Sequence, residues 1–295
     1  MSWRILQITK PCTLKIKNKQ LLYVPQEEEE ISFPLEDISV LILENRQITM
    51  HNILLAELAK HGICLFSCDE SHMPCGAYFP FLSYYQSSHM AKLQIEMRKP
   101  LQNRLWQELV RVKIQNQALC LKILQRQGVE KLFAYSKKVG SGDKGNIEAA
   151  AANHYFKMLF LSFSRKNDED LRNIFLNYGY AILRACIARS LVGVGLLPCF
   201  GLHHANMFNA YNLADDIIEP YRPFVDFSVY TLFQENSIEN INTQYKNQLA
   251  RVLTKQIMIE ESEVTVLKAI EYTCQSLAKS IKLKKNVLAL PYFLE

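Results

Sequence analysis

Hydrophobic periodicity changes once along this chain, near residue 75, and that change limits the folds open to it. Before it, apolar residues alternate with polar ones or form short runs. Leu14 and Ile16 alternate with Lys15 and Lys17, Asn18-Lys19 reads as a turn, and Leu21 to Val24 returns. Trp3 to Ile8, Ile38 to Leu43 and Ile63 to Phe66 read as further strands. Thr49 to Lys60 is expected to be a helix, with Thr49 as its N-cap and Gly62 just past its end. After the change the spacing is helical: Leu101 to Gln127 with Gly128 at its end, Gly145 to Phe163, Asp170 to Leu191 and Glu263 to Leu283. Pro74, Gly76, Pro80 and Ser87-Ser88 punctuate the stretch between. The expected class is α+β. A β-sandwich-like N-terminal domain with one helix spans 1–75, a linker 76–90, and a larger all-α domain 91–295.

Length agrees, since 295 residues suggest about two domains. Apolar residues at 49% exclude a mainly disordered chain. A formal charge of +5 permits a nucleic-acid partner without demanding one. The uncharged run Ser190 to Leu202 is too short for a bilayer, which takes about 20 residues. With no signal-peptide pattern at Met1 to Lys10, the eight cysteines are expected as reduced thiols in a cytoplasmic protein. The acidic run Glu27 to Glu30 reads as a solvated hairpin or loop, or as a face that repels DNA.

Three segments carry acid and imidazole groups. Glu148 opens a helix that continues as four alanines, a thin surface that a ligand or a backbone can approach. His203 and His204 are adjacent; consecutive side chains diverge, so one rather than both would serve a cation. Asp216 and Glu219 are three apart and would share a helical face, although Pro220 biases Glu219 away from regular helix. Two such carboxylates repel unless a cation or a proton lies between them, or Arg222 pairs with them at the surface. Together the segments offer oxygens and one imidazole to Mg2+ or Mn2+, a set suited to phosphodiester chemistry. No P-loop, dinucleotide fingerprint or nucleophile elbow competes. Cys64, Cys68, His72 and Cys75 form a weaker zinc candidate, because their spacing matches no standard finger.

These residues sit in stretches that resemble the CRISPR adaptation integrases, most closely those of type II systems. The resemblance runs nearly end to end: Trp3-Arg4, Pro34 to Ile38, Cys68-Asp69, Asn146 to Phe156, Leu176 to Arg184 and, most specifically, GLHHANMFNAYNLADDIIEPYRP over Gly201 to Pro223. It implies a metal-dependent DNA integrase and endonuclease that inserts spacer DNA into a CRISPR array by 3′-hydroxyl attack on a repeat-border phosphodiester. It places the family's catalytic metal ligands on Glu148, His204 and Glu219, with Asp216 as a second-rank ligand. Ala149 departs from the glycine common after the ligand Glu. The implied partners are incoming DNA, the CRISPR repeat, a second copy of the chain through the β domains, and a dimer of the small second adaptation protein flanked by two such dimers. The alternatives are a catalytically idle DNA-binding scaffold and a nuclease acting mainly by hydrolysis.

Phosphate contacts are expected from Lys144, Arg165, Arg184 and Arg222, with Lys137, Lys138 and Arg189 further candidates. Lys279, Lys282, Lys284 and Lys285 read either as a contact surface or as the exposed face of the last helix.

Overall fold

The computed structural model describes residues 4–70, 73–78 and 84–294; Trp3, His72 and Pro80 lie outside them. The chain separates into two compact units, 1–83 and 84–295.

In the first unit the strands are β1 (Arg4–Ile8), β2 (Cys12–Lys17), β3 (Gln20–Pro25), β4 (Ile31–Pro34), β5 (Ile38–Leu43) and β6 (Ile48–Met50). Helix α1 (Asn52–Lys60), β7 (Cys64–Cys68) and β8 (Pro74–Tyr78) follow. One sheet runs β1-β5-β7-β8, parallel except for β8; the other runs β4-β3-β2-β6. Asn18 and Lys19 both take positive φ, the two-residue turn whose twist matches an antiparallel pair. Leu14 and Leu21 of one sheet, Leu41 and Leu65 of the other, and Leu54 and Leu58 of α1 share a single core. The run Glu27 to Glu30 is exposed between β3 and β4.

Two expectations shift here. Thr49 lies in β6 and His51 holds the N-cap position of α1, because Cys12 to Leu14 of β2 capture Ile48 to Met50 as a parallel partner. Strand β8 occupies the first part of the expected linker, since Leu65 to Cys68 of β7 offer an edge to pair with. Cys64 is buried within β7 and Cys75 is exposed on β8.

The second unit holds α2 (Ser87–Ile95), α3 (Lys99–Ile123), α4 (Val129–Lys138), α5 (Ile147–Leu159), α6 (Leu171–Gly193), α7 (Asn212–Ile217), α8 (Arg222–Glu235) and α9 (Thr243–Ala250). Strands β9 (Gln256–Ile259) and β10 (Ser262–Thr265), helix α10 (Val266–Leu283) and β11 (Pro291–Tyr292) complete it. The unit is therefore not wholly helical. Sheet β10-β9-β11 packs on α10, and Ser262 to Thr265, expected in part as the first turn of α10, pair with β9 instead. The helix expected over Leu101 to Gln127 stops at Ile123, and Gly128, at φ 95°, introduces α4.

Helix α3 is the axis of the unit, packing against α4, α5, α8 and the turn Glu219–Tyr221. Its apolar face carries Leu105, Leu109, Lys113 and Asn116 at helical spacing, so two polar side chains enter the interior. Helix α6 packs against α7 to α10 and is capped by Asp170, which accepts from Arg172 N at 2.9 Å. Among the described residues no helix is long and apolar enough to cross a membrane.

Candidate metal centre

Glu148 occupies the first turn of α5. Both oxygens of Asp143 hold that turn, accepting from Ile147 N and Glu148 N at 3.0 Å each. Glu219 begins the short turn between α7 and α8. Asn116 of α3 fixes that turn by donating from Nδ2 to Pro220 O at 2.8 Å, while also donating to Pro291 O at 2.9 Å. The two glutamates thus come from separate segments, each anchored by its own polar side chain.

They converge on Lys113. Its Nζ donates to Glu148 Oε1 at 2.6 Å and pairs with Glu219 Oε2. Arg222 Nε donates to Glu219 Oε1 at 2.9 Å. Burial opposes charge on Lys113, but Glu219 and then Glu148 outweigh it and hold the ammonium above its ordinary range. Burial likewise disfavours a charged Glu219, yet Arg222 and Lys113 prevail and pull its carboxyl well below the usual range. Glu219 Oε2 makes no aligned hydrogen bond beyond that charge contact.

His204 is held differently. Its Nδ1 lies 2.7 Å from Asp216 Oδ1. Asp216 is wholly buried and also accepts from Leu202 N at 2.5 Å, His203 N at 3.1 Å and His204 N at 3.2 Å. A carboxylate has about four acceptor sites, and all are filled. Asp216 therefore has no lone pair left for a cation. It also shares no partner with Glu219, because α7 ends at Ile217 and the turn redirects the next carboxylate. The hydrogen bond to Asp216 raises the His204 pKa against the opposing effect of burial, and Glu219 adds a smaller raising effect. Trp106, seven residues before Lys113 on α3, stacks on His203 at 4.3 Å between ring centres and meets His204 edge-on at 5.7 Å. Gln94 of α2 bonds Leu197 and Phe200 and so steadies the approach to this loop.

Beside Glu219 a cavity of about 170 Å3 is lined by Lys113, Arg165, Tyr180, Arg222 and Asp226, among others. Arg222 lies over the Tyr180 ring at 4.6 Å and Arg165 at 5.6 Å. Asp226 accepts from Tyr180 Oη, and burial pushes its carboxyl up to about 6. The other expected phosphate contacts lie apart from this cavity lining. Arg184 is tied to Asp215 at 2.9 Å and lies over Tyr211. Lys144, Lys137 and Lys138 are exposed, and Arg189 pairs with Glu271. Lys279, Lys282, Lys284 and Lys285 are exposed at the end of α10.

The donors suit a hard or borderline divalent cation: two carboxylates drawn to one positive charge and an imidazole backed by a carboxylate. Among the described residues no three His, Cys, Asp or Glu side chains stand ready to hold a metal, at this site or at Cys64, Cys68 and Cys75. At the glutamates the ammonium of Lys113 takes the central place. Lys113 and Asp143 were not singled out from sequence. A lysine eight residues after Leu105 and four after Leu109, on an apolar face, was the available signal, because a buried lysine requires partners.

The family model for CRISPR associated protein Cas1 matches residues 6–271. The chain belongs to the Cas1 family. It is 40% identical over 276 residues to a CRISPR-associated endonuclease Cas1 of Neisseria meningitidis, covering 92% of this chain and 90% of that protein. It is 25% identical to a Cas1 endonuclease of Francisella tularensis subsp. novicida, covering 91% and 89%. Its fold is similar to a casposase bound to integration product, with TM-score 0.80 and 20% identity over 98% of this chain and 92% of that one. A Cas1 protein from Thermotoga maritima matches with TM-score 0.76 and 18% identity, covering 97% and 99%. The chain also matches 35% of a chain in a Cas6-RT-Cas1–Cas2 complex, with TM-score 0.70 and 19% identity over 96% of its own length.

Proposed function

We propose that this chain is a divalent-cation-dependent DNA integrase of CRISPR adaptation, in which Glu148, Glu219 and His204 hold the cation. Glu148 and Glu219 are the anionic ligands and His204 supplies its second ring nitrogen. Asp216 orients that ring through Nδ1, as carboxylates behind metal-bound histidines do. The observation that carries the reading is the shared positive charge: two glutamates from distant segments meet at one buried ammonium. Carboxylates gathered in this way suit Mg2+ or Mn2+.

When bound, such a cation polarises a phosphoryl oxygen and aligns nucleophile and leaving group. The chain's own residues do the rest. Asp143 and Asn116 keep the two glutamates at fixed backbone positions. Arg165 and Arg222, each against Tyr180, offer guanidinium charge to a phosphate beside Glu219. The incoming 3′-hydroxyl gives up its proton as its oxygen attacks the repeat-border phosphodiester, and the 3′-oxygen displaced at that border takes up a proton, so one phosphate ester bond forms as one breaks, without a covalent protein intermediate. Incoming DNA and the repeat are the substrates. A second copy of this chain and the small second adaptation protein are the partners, in line with the Cas2 named in a complex of similar fold.

The test is strand transfer of a 3′-hydroxyl duplex into a plasmid carrying a repeat, in Mg2+ or Mn2+. Glu148→Ala and His204→Ala are expected to abolish joined product. Full activity in both overturns the ligand assignment. Free ends without joined product would make hydrolysis the main reaction, and an inactive wild type that binds DNA but no divalent cation would make the chain a scaffold.

A further inference from the structure

Charge bookkeeping around Lys113 sets a condition on the site proposed above. Glu148 and Glu219 contribute two negative charges; Lys113 and Arg222, both in contact with them, contribute two positive ones. Asp226 and Arg165, on the neighbouring cavity wall, add one of each sign. Two further carboxylates lie at the edge of this set: Asp216 is met by three backbone N–H groups and the His204 ring, and Asp143 by the N–H groups of Ile147 and Glu148. The side chains in direct contact around Lys113 are thus balanced with no further ion, and the centre of the cluster is buried: Lys113 is 6% exposed and Glu219 4%, while Glu148 and Arg222 are half-buried. A divalent cation added to a balanced, buried cluster leaves an excess of two positive charges in a medium that solvates them poorly. Either the ammonium must give up its carboxylates, or negative charge must arrive with the metal.

DNA brings that charge. The cavity of about 170 Å3 beside Glu219 has Lys113, Arg165 and Arg222 on its wall. A phosphate seated there accepts from those cations and compensates the incoming metal. Lysine is suited to the exchange, because its ammonium is a point charge on a flexible stem and can turn from a carboxylate to a phosphate oxygen.

We propose that Lys113 is an internal counter-ion that makes divalent-cation loading conditional on DNA. Without DNA its ammonium occupies the carboxylates and the metal binds weakly. With a phosphate in the cavity the ammonium is drawn away and the metal binds tightly. By linkage, the metal must then tighten DNA binding by the same factor. The inference rests on the cation site of the proposed function and goes beyond it, in assigning the order of assembly to one lysine.

The experiment measures Mn2+ binding to the full chain by electron paramagnetic resonance of free Mn2+, with and without a short blunt DNA duplex. Wild type, Lys113→Met and Lys113→Arg are compared. DNA is expected to tighten Mn2+ binding to wild type by about tenfold or more, within the usual span of coupling. Lys113→Met is expected to bind Mn2+ several-fold tighter than wild type without DNA and to lose most of the DNA effect, while Lys113→Arg retains it. Equal Mn2+ affinity of wild type with and without DNA overturns the inference, and does so without relying on any variant folding. So does a Lys113→Met protein that binds Mn2+ no tighter than wild type. Wild type that binds no Mn2+ even with DNA overturns the cation site itself, and the inference with it.

Discussion

Asp216 Oδ1 stands 2.7 Å from His204 Nδ1, and the same carboxylate gathers the N–H groups of Leu202, His203 and His204. One buried side chain thereby sets both the backbone of the histidine loop and the orientation of the ring. Asp216→Asn keeps the shape but turns two acceptor positions into a donor group facing N–H groups. Mn2+ affinity measured by calorimetry with DNA present is expected to fall by about 10–100-fold. An unchanged affinity would show that the imidazole needs no support from Asp216.

The same hydrogen bond is expected to give strand transfer a pH dependence. The His204 pKa is raised above its ordinary 6.5, chiefly by Asp216. The His204–Asp216 pairing therefore stabilises the fold fully below 6.5, and that contribution is lost as pH rises through the raised value. A metal requires the neutral ring. Strand transfer is expected to fall as pH drops, with a midpoint that moves lower in Asp216→Asn. A midpoint that is the same in both proteins argues against His204 as the titrating ligand.

Gly201 is required by close approach. A Cβ there meets the carbonyl oxygen of His204 and stands 2.7 Å from Asp216 Oδ2. Gly201→Ala is expected to displace the histidine loop, lowering strand transfer far more than the cost of about 1–3 kcal/mol to the fold. Paired measurements of activity and urea midpoint check this; parallel small losses would refute it.

Asp226 is the reverse of a salt-bridged acid. Burial pushes its carboxyl up to about 6, so the folded state holds its proton where an unfolded chain, at 3.8, has released it. Its effect on stability is therefore unfavourable, growing as pH rises from about 4 to 6 and level above that, on the order of 3 kcal/mol. Asp226→Asn removes this penalty. The stability of the variant relative to wild type should improve between pH 4.5 and 7 in urea titrations; a constant difference would contradict the assignment.

Gly179 lets α6 lie against α8. A Cβ at 179 comes within 2.5 Å of Val225 Cγ1. Alanine is the better helix former by about 1 kcal/mol, yet Gly179→Ala is expected to destabilise by about 1–3 kcal/mol through overpacking. Val225→Ala in the same chain should recover most of it, since the second change removes the methyl groups that clash. Thermal unfolding of the three variants decides the matter.

Local patterns were readable where neighbours in sequence are also neighbours in space. The alternation at Leu14 and Ile16, the Asn18-Lys19 turn and the helical spacing from Asp170 to Leu191 depend on adjacent residues. Thr49 was misplaced because its strand exists only through pairing with β2. Glu263 to Thr265, expected in the last helix, form a strand for the same reason, through β9. Lys113 passed unnoticed because a lysine on a helix is ordinary until the opposite wall is known.

By itself the amino-acid order determined the two textures of the chain, the helix that carries Glu148, the proline turn at Glu219 and membership of the Cas1 family, since each is written in contiguous residues. Only the tertiary structure decided that Asp216 turns to the histidine loop, that Lys113 lies between the glutamates, and that Asp143 and Asn116 anchor them. Those outcomes depend on side chains from α3, α5 and the 219–221 turn sharing one interior. There, loss of water makes every charge find a partner, and the partner is chosen by packing rather than by distance along the chain.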